Sequence, residues 1–222
     1  MNFKYQLSKI KREIEYYIFS NLLGLNDRSG LAIIGCGRSG TTYTSKMFSS
    51  FGIDIGHERL KKDGISSWYL VSDQTQVPLG PNYFQIKKLK IKIVHQIRDP
   101  IKSISSMQSM GKPSWNFLAN EIPIELNEDS KIVKAMKYWY YWNIKAEKKS
   151  DFSYRIENIE EVLSRLMDIG GFSVRNFDKM KKIDKKTNTR KHTDLNWNDL
   201  EKEDYELTQK IKNLSINYGY KI

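Results

Sequence analysis

The sequence holds a single cysteine, Cys36, so no disulfide can close within the chain, which fits a reducing compartment. Its three histidines, His57, His95 and His192, are too far apart to give a local metal-ligand spacing, and no metal is expected. No stretch is apolar for the roughly 18 residues that a membrane span needs. The most apolar part of the N-terminal region, residues 16–25, is short, carries Ser20 and Asn21, and follows a charged helical stretch. It therefore does not read as a signal peptide, and the cytoplasm is the expected location. Zinc-finger spacing, helix-turn-helix and RNA-recognition signatures are absent, which excludes the common nucleic-acid-binding modules.

What is present is an ordinary globular composition, 39% hydrophobic and 28% charged over 222 residues, enough for one domain with a sizeable core. The formal charge is +11, with 37 Lys and Arg against 26 Asp and Glu. That excess favours an anionic ligand, although a general richness in Lys, Ile and Asn accounts for part of it.

Periodicity divides residues 1–222 into an N-terminal helix (within 1–29), a core (31–110), an insert (111–128) and a C-terminal basic loop and helix (179–222). Residues 3–24 read as an amphipathic helix with Phe3, Leu7, Ile10, Ile14, Tyr17 and Ile18 on one side. Residues 31–34 form a short apolar strand that runs into Gly35-Cys36-Gly37-Arg38-Ser39-Gly40-Thr41-Thr42, and residues 41–51 form the next helix, stopped by Gly52. A second strand is expected at 53–55, ending at Gly56-His57-Glu58. Residues 59–88 read as irregular, with a short helix near 66–71. Residues 91–97 give the clearest strand. Asp99 and Pro100 then cap and start a helix running to about residue 110.

Beyond a loop at 111–128, a helix rich in Trp and Tyr spans 130–149, a strand 153–156, a helix 159–169 and a last amphipathic helix 199–218. Alternating strands and helices predict an α/β fold with three layers, a mainly parallel central sheet flanked by helices. Ligands in such sheets bind beyond the carboxyl ends of the strands. The glycine loop, His57 with Glu58, and Arg98 all fall at those ends.

A strand, a glycine turn and a helix N-terminus make an anion site, because the first helical N–H groups have no internal partner. The nucleotide-triphosphate loop G-x-x-x-x-G-K-[ST] is the obvious comparison. Here Gly40 is followed by Thr41 and Thr42, the lysine is missing, and a cation stands earlier, at Arg38. Cys36 sits inside this loop, where a small residue packs, and is not read as a nucleophile.

Arg38-Ser39-Gly40-Thr41-Thr42 resembles the 5′-phosphosulfate loop of the PAPS-dependent sulfotransferases, with the arginine variant similar to that of tyrosyl-protein members. The family's 3′-phosphate motif, a strand ending in Arg with a Ser eight residues later, is matched by Arg98 and Ser106, with Ser103 and Ser105 as neighbours. More loosely, Trp139, Trp142, Asn143 and Tyr154-Arg155-Ile156-Glu157 resemble the helix and strand that follow in bacterial members. Asn188, Arg190 and His192 fall where relatives return a basic loop over the nucleotide.

The resemblance implies a P-loop NTPase-like sulfotransferase architecture, PAPS as donor and PAP as product, with Gly37, Arg38, Ser39, Gly40, Thr41, Thr42, Tyr43, Arg98, Ser106 and Arg190 as nucleotide contacts. Arg38 would stabilise charge on the leaving oxygen. Tyr43 stands where an aromatic lies against adenine, and a core packing role is equally compatible with it. An acceptor hydroxyl needs a base, and the candidates are His57 and Glu58. On the extended chain adjacent side chains point to opposite sides, so one of the two is expected in the cleft. Free histidine, with a pKa of about 6.5, suits neutral pH, whereas glutamate, at about 4.3, needs tuning. The resemblance favours Glu58. Trp68, Tyr69 and the region of Trp115 are candidates to line the acceptor pocket, and a carbohydrate hydroxyl is the expected acceptor. The competing readings are a nucleotide kinase or other triphosphate-binding enzyme, and a non-catalytic protein on a nucleotide-binding fold.

Overall fold

The computed structural model describes residues 3–24, 30–89, 91–173 and 193–222. The elements in chain order are α1 (Phe3–Gly24), β1 (Leu31–Gly35), α2 (Thr41–Ser50), β2 (Ile55–His57), β3 (Gly64–Ser66), a 3₁₀ turn (Trp68–Val71), α3 (Tyr83–Lys88), β4 (Lys92–Ile97), α4 (Pro100–Met107), α5 (Lys112–Ala119), α6 (Lys131–Glu147), β5 (Phe152–Arg155), α7 (Ile159–Gly170), α8 (Trp197–Glu203) and α9 (Tyr205–Asn217). The strands lie in the order β2-β3-β1-β4-β5, and all four pairings are parallel. The expected three-layer α/β fold is therefore present.

β1 is central and wholly buried, as a strand covered on both faces must be. Its side chains alternate between two cores. Leu31 and Ile33 join Met47, Phe48, Val94, Tyr154 and Leu163 beneath α2 and α7. Ala32 and Ile34 join Ile93, Ile97, Ile104, Leu118, Trp139 and Trp142 on the other face, where α4 and α6 pack.

Several expectations are corrected. The second strand lies at Ile55–His57, two residues later than 53–55. The irregular stretch contains β3, which sits between β2 and β1. Each of these strands has only three residues, and the link between them is shorter than the dozen or so residues usual between parallel neighbours. Neither strand has room for a recognisable alternation. The insert is not merely a loop: Pro113 in the first turn starts α5, whose Trp115, Phe117 and Leu118 enter the core. The α4 helix stops at Met107. The last helix is two, broken where Asp204 turns extended (φ −158°) and caps α9 by accepting from the Leu207 N–H at 2.9 Å. The stripe Leu7, Ile10, Ile14, Tyr17 and Ile18 on α1 faces outward, while Tyr16 and Phe19 pack on the core.

Beside the site, β4 buries His95 fully. Its Nδ1 lies 3.2 Å from Ser153 Oγ and its Nε2 3.0 Å from Asn143 Oδ1. Asn143 spends its amide N–H on the Trp139 carbonyl (2.7 Å), so its Oδ1 accepts from Nε2–H. Burial pushes the His95 pKa down to about 4, against a smaller upward pull from Asn143. An unfolded histidine, at about 6.5, binds its proton in the window where the folded one does not. The neutral form's stability is thus complete above about pH 6.5 and falls by about 3 kcal/mol as pH drops toward 4. Urea unfolding across that range is expected to show this slope, and His95→Gln to flatten it.

Candidate active site

A cleft of about 410 Å³ opens at the carboxyl ends of β1, β2 and β4, lined among others by Gly37, Arg38, Gly40, Thr41, Thr42, Tyr43, His57, Glu58, Arg98 and Ser106. The three sequence segments singled out by their chemistry therefore meet in one space. Arg190, Asn188, His192 and the rest of the basic stretch at 179–191 lie outside the described residues.

The glycine loop is fixed from three sides. Gly37 N–H donates to the Tyr138 hydroxyl at 2.8 Å, so that amide is committed to α6. Gln96, at the end of β4, donates from Nε2 to the Ser39 carbonyl (2.7 Å) while its Oε1 accepts from Thr44 (2.5 Å) and Tyr154 (2.6 Å). Arg98 Nη1 donates to the Arg38 carbonyl at 2.8 Å, and the Arg98 carbonyl accepts from Trp139 Nε1 at 3.2 Å. Tyr138 and Gln96 are supporting residues of the cleft that no motif announced, whereas Trp139 stands in the stretch already matched on resemblance. The available signal was a polar residue next to last in the strand that leads to Arg98.

The loop ends on Gly40 at φ 96°, and α2 has no side-chain cap at its N-terminus. Its first backbone bond is Thr44 N–H to the Gly40 carbonyl (3.0 Å), so the amides of Gly40, Thr41 and Thr42 precede the helical ladder at the cleft wall. Ser39 Oγ is buried with no hydrogen-bond partner. Arg38 and Arg98 are half-buried beside this terminus. Cys36 is enclosed, its thiol pushed well up by burial, and Sγ donates to the Tyr138 carbonyl at 3.8 Å.

His57 and Glu58 both line the cleft, where simple alternation put one of them. Glu58 has left the extended conformation, at φ 53°, and that swings its side chain to the same side. Among the described residues, Arg38 (φ 69°) and Glu58 are the two non-glycine residues with positive φ. Strained backbone of this kind concentrates at functional sites. His57 Nε2 stands 3.0 Å from Thr42 Oγ1 and 3.3 Å from Thr41 Oγ1, which ties the end of β2 to the start of α2. Glu58 Oε1 accepts from Trp68 Nε1 at 3.1 Å.

Ser106 lines the cleft, whereas Ser105 Oγ accepts from the Leu195 N–H and Ser103 is fully buried, which separates the three serines. Tyr43 borders the cleft and also packs on the α2–α7 core. Trp68 and Tyr69 reach the cleft, with their rings stacked at 3.9 Å. Trp115 is in the core against Tyr138, and it is the neighbouring Met110, Gly111 and Ser114 that line the wall.

No family model matches this sequence, and no curated protein matches it. Among solved structures, the chain is similar to the crystal structure of mouse sulfotransferase SULT7A1 complexed with PAP, at 14% identity and a TM-score of 0.41, over 78% of this chain and 68% of that one. A likeness of that extent leaves the functional reading to rest on the residues of the cleft. Among the described residues, no helix is long and apolar enough to cross a membrane.

Proposed function

We propose that this protein is a sulfotransferase that moves a sulfuryl group from PAPS to an acceptor hydroxyl by in-line displacement. The observation that carries the reading is the meeting of the uncapped α2 N-terminus, two arginines, Ser106 and Glu58 in one cleft. A diphosphate-like 5′ end suits the glycine loop, and the missing lysine after Gly40 counts against a γ-phosphate.

In this reading the amides of Gly40 to Thr42 and the Thr41 and Thr42 hydroxyls bind the 5′-phosphate. His57 holds those two hydroxyls in place, so it acts as a positioning residue. Arg38 stabilises charge on the leaving oxygen, and Arg98 with Ser106 binds the 3′-phosphate. The donor supplies the sulfuryl group. Glu58, held through one oxygen by Trp68, takes the acceptor's proton on the other. Tyr43 lies against adenine, and Arg190 adds a contact from the C-terminal basic stretch. Trp68 and Tyr69 offer a polar-edged aromatic wall to the acceptor, and a carbohydrate hydroxyl is the class we assign. The buried single thiol fits a reducing compartment such as the cytoplasm.

Transfer of labelled sulfate from PAPS to a panel of sugars and phenols tests the assignment. Sugar labelling is the expected result, phenol labelling alone would reassign the acceptor, and labelling of neither would remove the support for transfer. The strained backbone gives a second expectation. Arg38→Gly relieves a left-handed residue and is expected to raise unfolding stability by about 1 kcal/mol in urea while lowering transfer at least about 100-fold.

A further inference from the structure

The α1 helix has two apolar faces, and its own fold covers one. Tyr16 and Phe19 pack on the core, with Lys61 Nζ 5.6 Å from the centre of the Phe19 ring and Glu15 3.8 Å from Arg59. On the far side Leu7, Ile10, Ile14 and Tyr17 are 50%, 52%, 54% and 70% exposed, with Ile18 beside them at 48%. Half of the exposed large hydrophobics among the described residues thus lie on this one helix. Their positions alternate by steps of three and four residues and continue to Asn21, which is also exposed. That is a period of about 3.5, the seam of a left-handed coiled coil, with Leu7, Ile14 and Asn21 at a positions and Ile10 and Tyr17 at d positions.

We propose that α1 pairs in parallel with the α1 of a second copy of this chain. Five side chains about half exposed offer on the order of 500 Å² per copy, so a pair buries on the order of 1,000 Å², the threshold of a specific but weak interface. Charge placement selects the direction. A full-length antiparallel overlap of α1 sets Glu13 level with Glu13 of the second copy, like charge beside like charge. A parallel pair instead sets Glu13 beside Ile18 and Asn21 against Asn21, where the two amides bond across the seam and fix the register. The inference stands independently of the proposed transfer activity.

Sedimentation of the full chain tests it. The expected result is a dimer at micromolar concentration, and a monomer for Ile10→Glu/Ile14→Glu, with a dissociation constant raised at least about 100-fold and, in dilute protein where both forms are monomeric, an unchanged urea midpoint, since both residues face outward. Asn21→Cys is expected to cross-link to itself on oxidation, because Cys36 is buried. A wild-type monomer at all concentrations, or a dimer that survives the double substitution, overturns the proposal. Absence of the Asn21→Cys cross-link overturns the parallel arrangement. A monomer that binds phosphatidylserine vesicles and loses them in the double variant assigns the face to lipid instead.

Discussion

Replacing Glu58 by glutamine is expected to lower the turnover of sulfuryl transfer by about 10²–10⁴-fold while PAP affinity stays within about twofold. The substitution keeps shape and keeps an oxygen for Trp68 Nε1 to reach, so the bond at 3.1 Å survives. What it removes is the capacity to take a proton. Nucleotide affinity is expected to hold because the loop amides, Arg98 and Ser106 are untouched. His57→Ala separates the two candidate bases. Its Nε2 is occupied by the Thr41 and Thr42 hydroxyls, so its loss is expected to raise the donor KM more than it lowers turnover. Stopped transfer with Glu58→Gln and weakened donor binding with His57→Ala assign base and positioner. Full activity of Glu58→Gln would move the base elsewhere.

The second large effect is structural and reaches the site through one strand pair. Gly35 stands opposite Gln96 in the β1–β4 register. A Cβ on Gly35 would lie 2.3 Å from the Gln96 carbonyl oxygen and 3.2 Å from Ser39 Oγ. Both strands are buried, so backbone rather than a flexible side chain would have to move. Separating them also disturbs the bond that Gln96 donates to the Ser39 carbonyl and the one it accepts from the Thr44 hydroxyl. Gly35→Ala is therefore expected to cost about 3 kcal/mol or more in urea unfolding, and to weaken PAP binding at least about tenfold in the folded fraction. Gly52→Ala provides the contrast. Its Cβ would meet nothing within 4 Å, and only φ 81° opposes it, so its expected cost is about 1 kcal/mol with binding unchanged.

The segments that meet in the cleft were more legible in the sequence than parts of the fold that carries them. The glycine loop announces itself because tight turning and anion contact demand particular residues at fixed spacing. Arg98 and Ser106 follow from a long, apolar, well-bounded strand and a capped helix. β3 was hidden because three residues cannot display a period, and α5 because a Pro-containing stretch of eight residues reads as easily as a loop. The side taken by Glu58 could not be read either, since a positive φ on a non-glycine residue leaves no mark in the sequence. On α1 the periodicity was legible, whereas the direction in which the stripe faces was not. A heptad stripe identifies a face that packs, and says nothing about whether the surface it packs on belongs to its own domain.

Thermal shift of the purified protein with PAP and, separately, with ATP and magnesium tests the central claim most directly. The account predicts clear stabilisation by PAP, on the order of 3 kcal/mol at a hundredfold excess over its dissociation constant, and none by ATP with magnesium. Stabilisation by ATP with magnesium and not by PAP would contradict it.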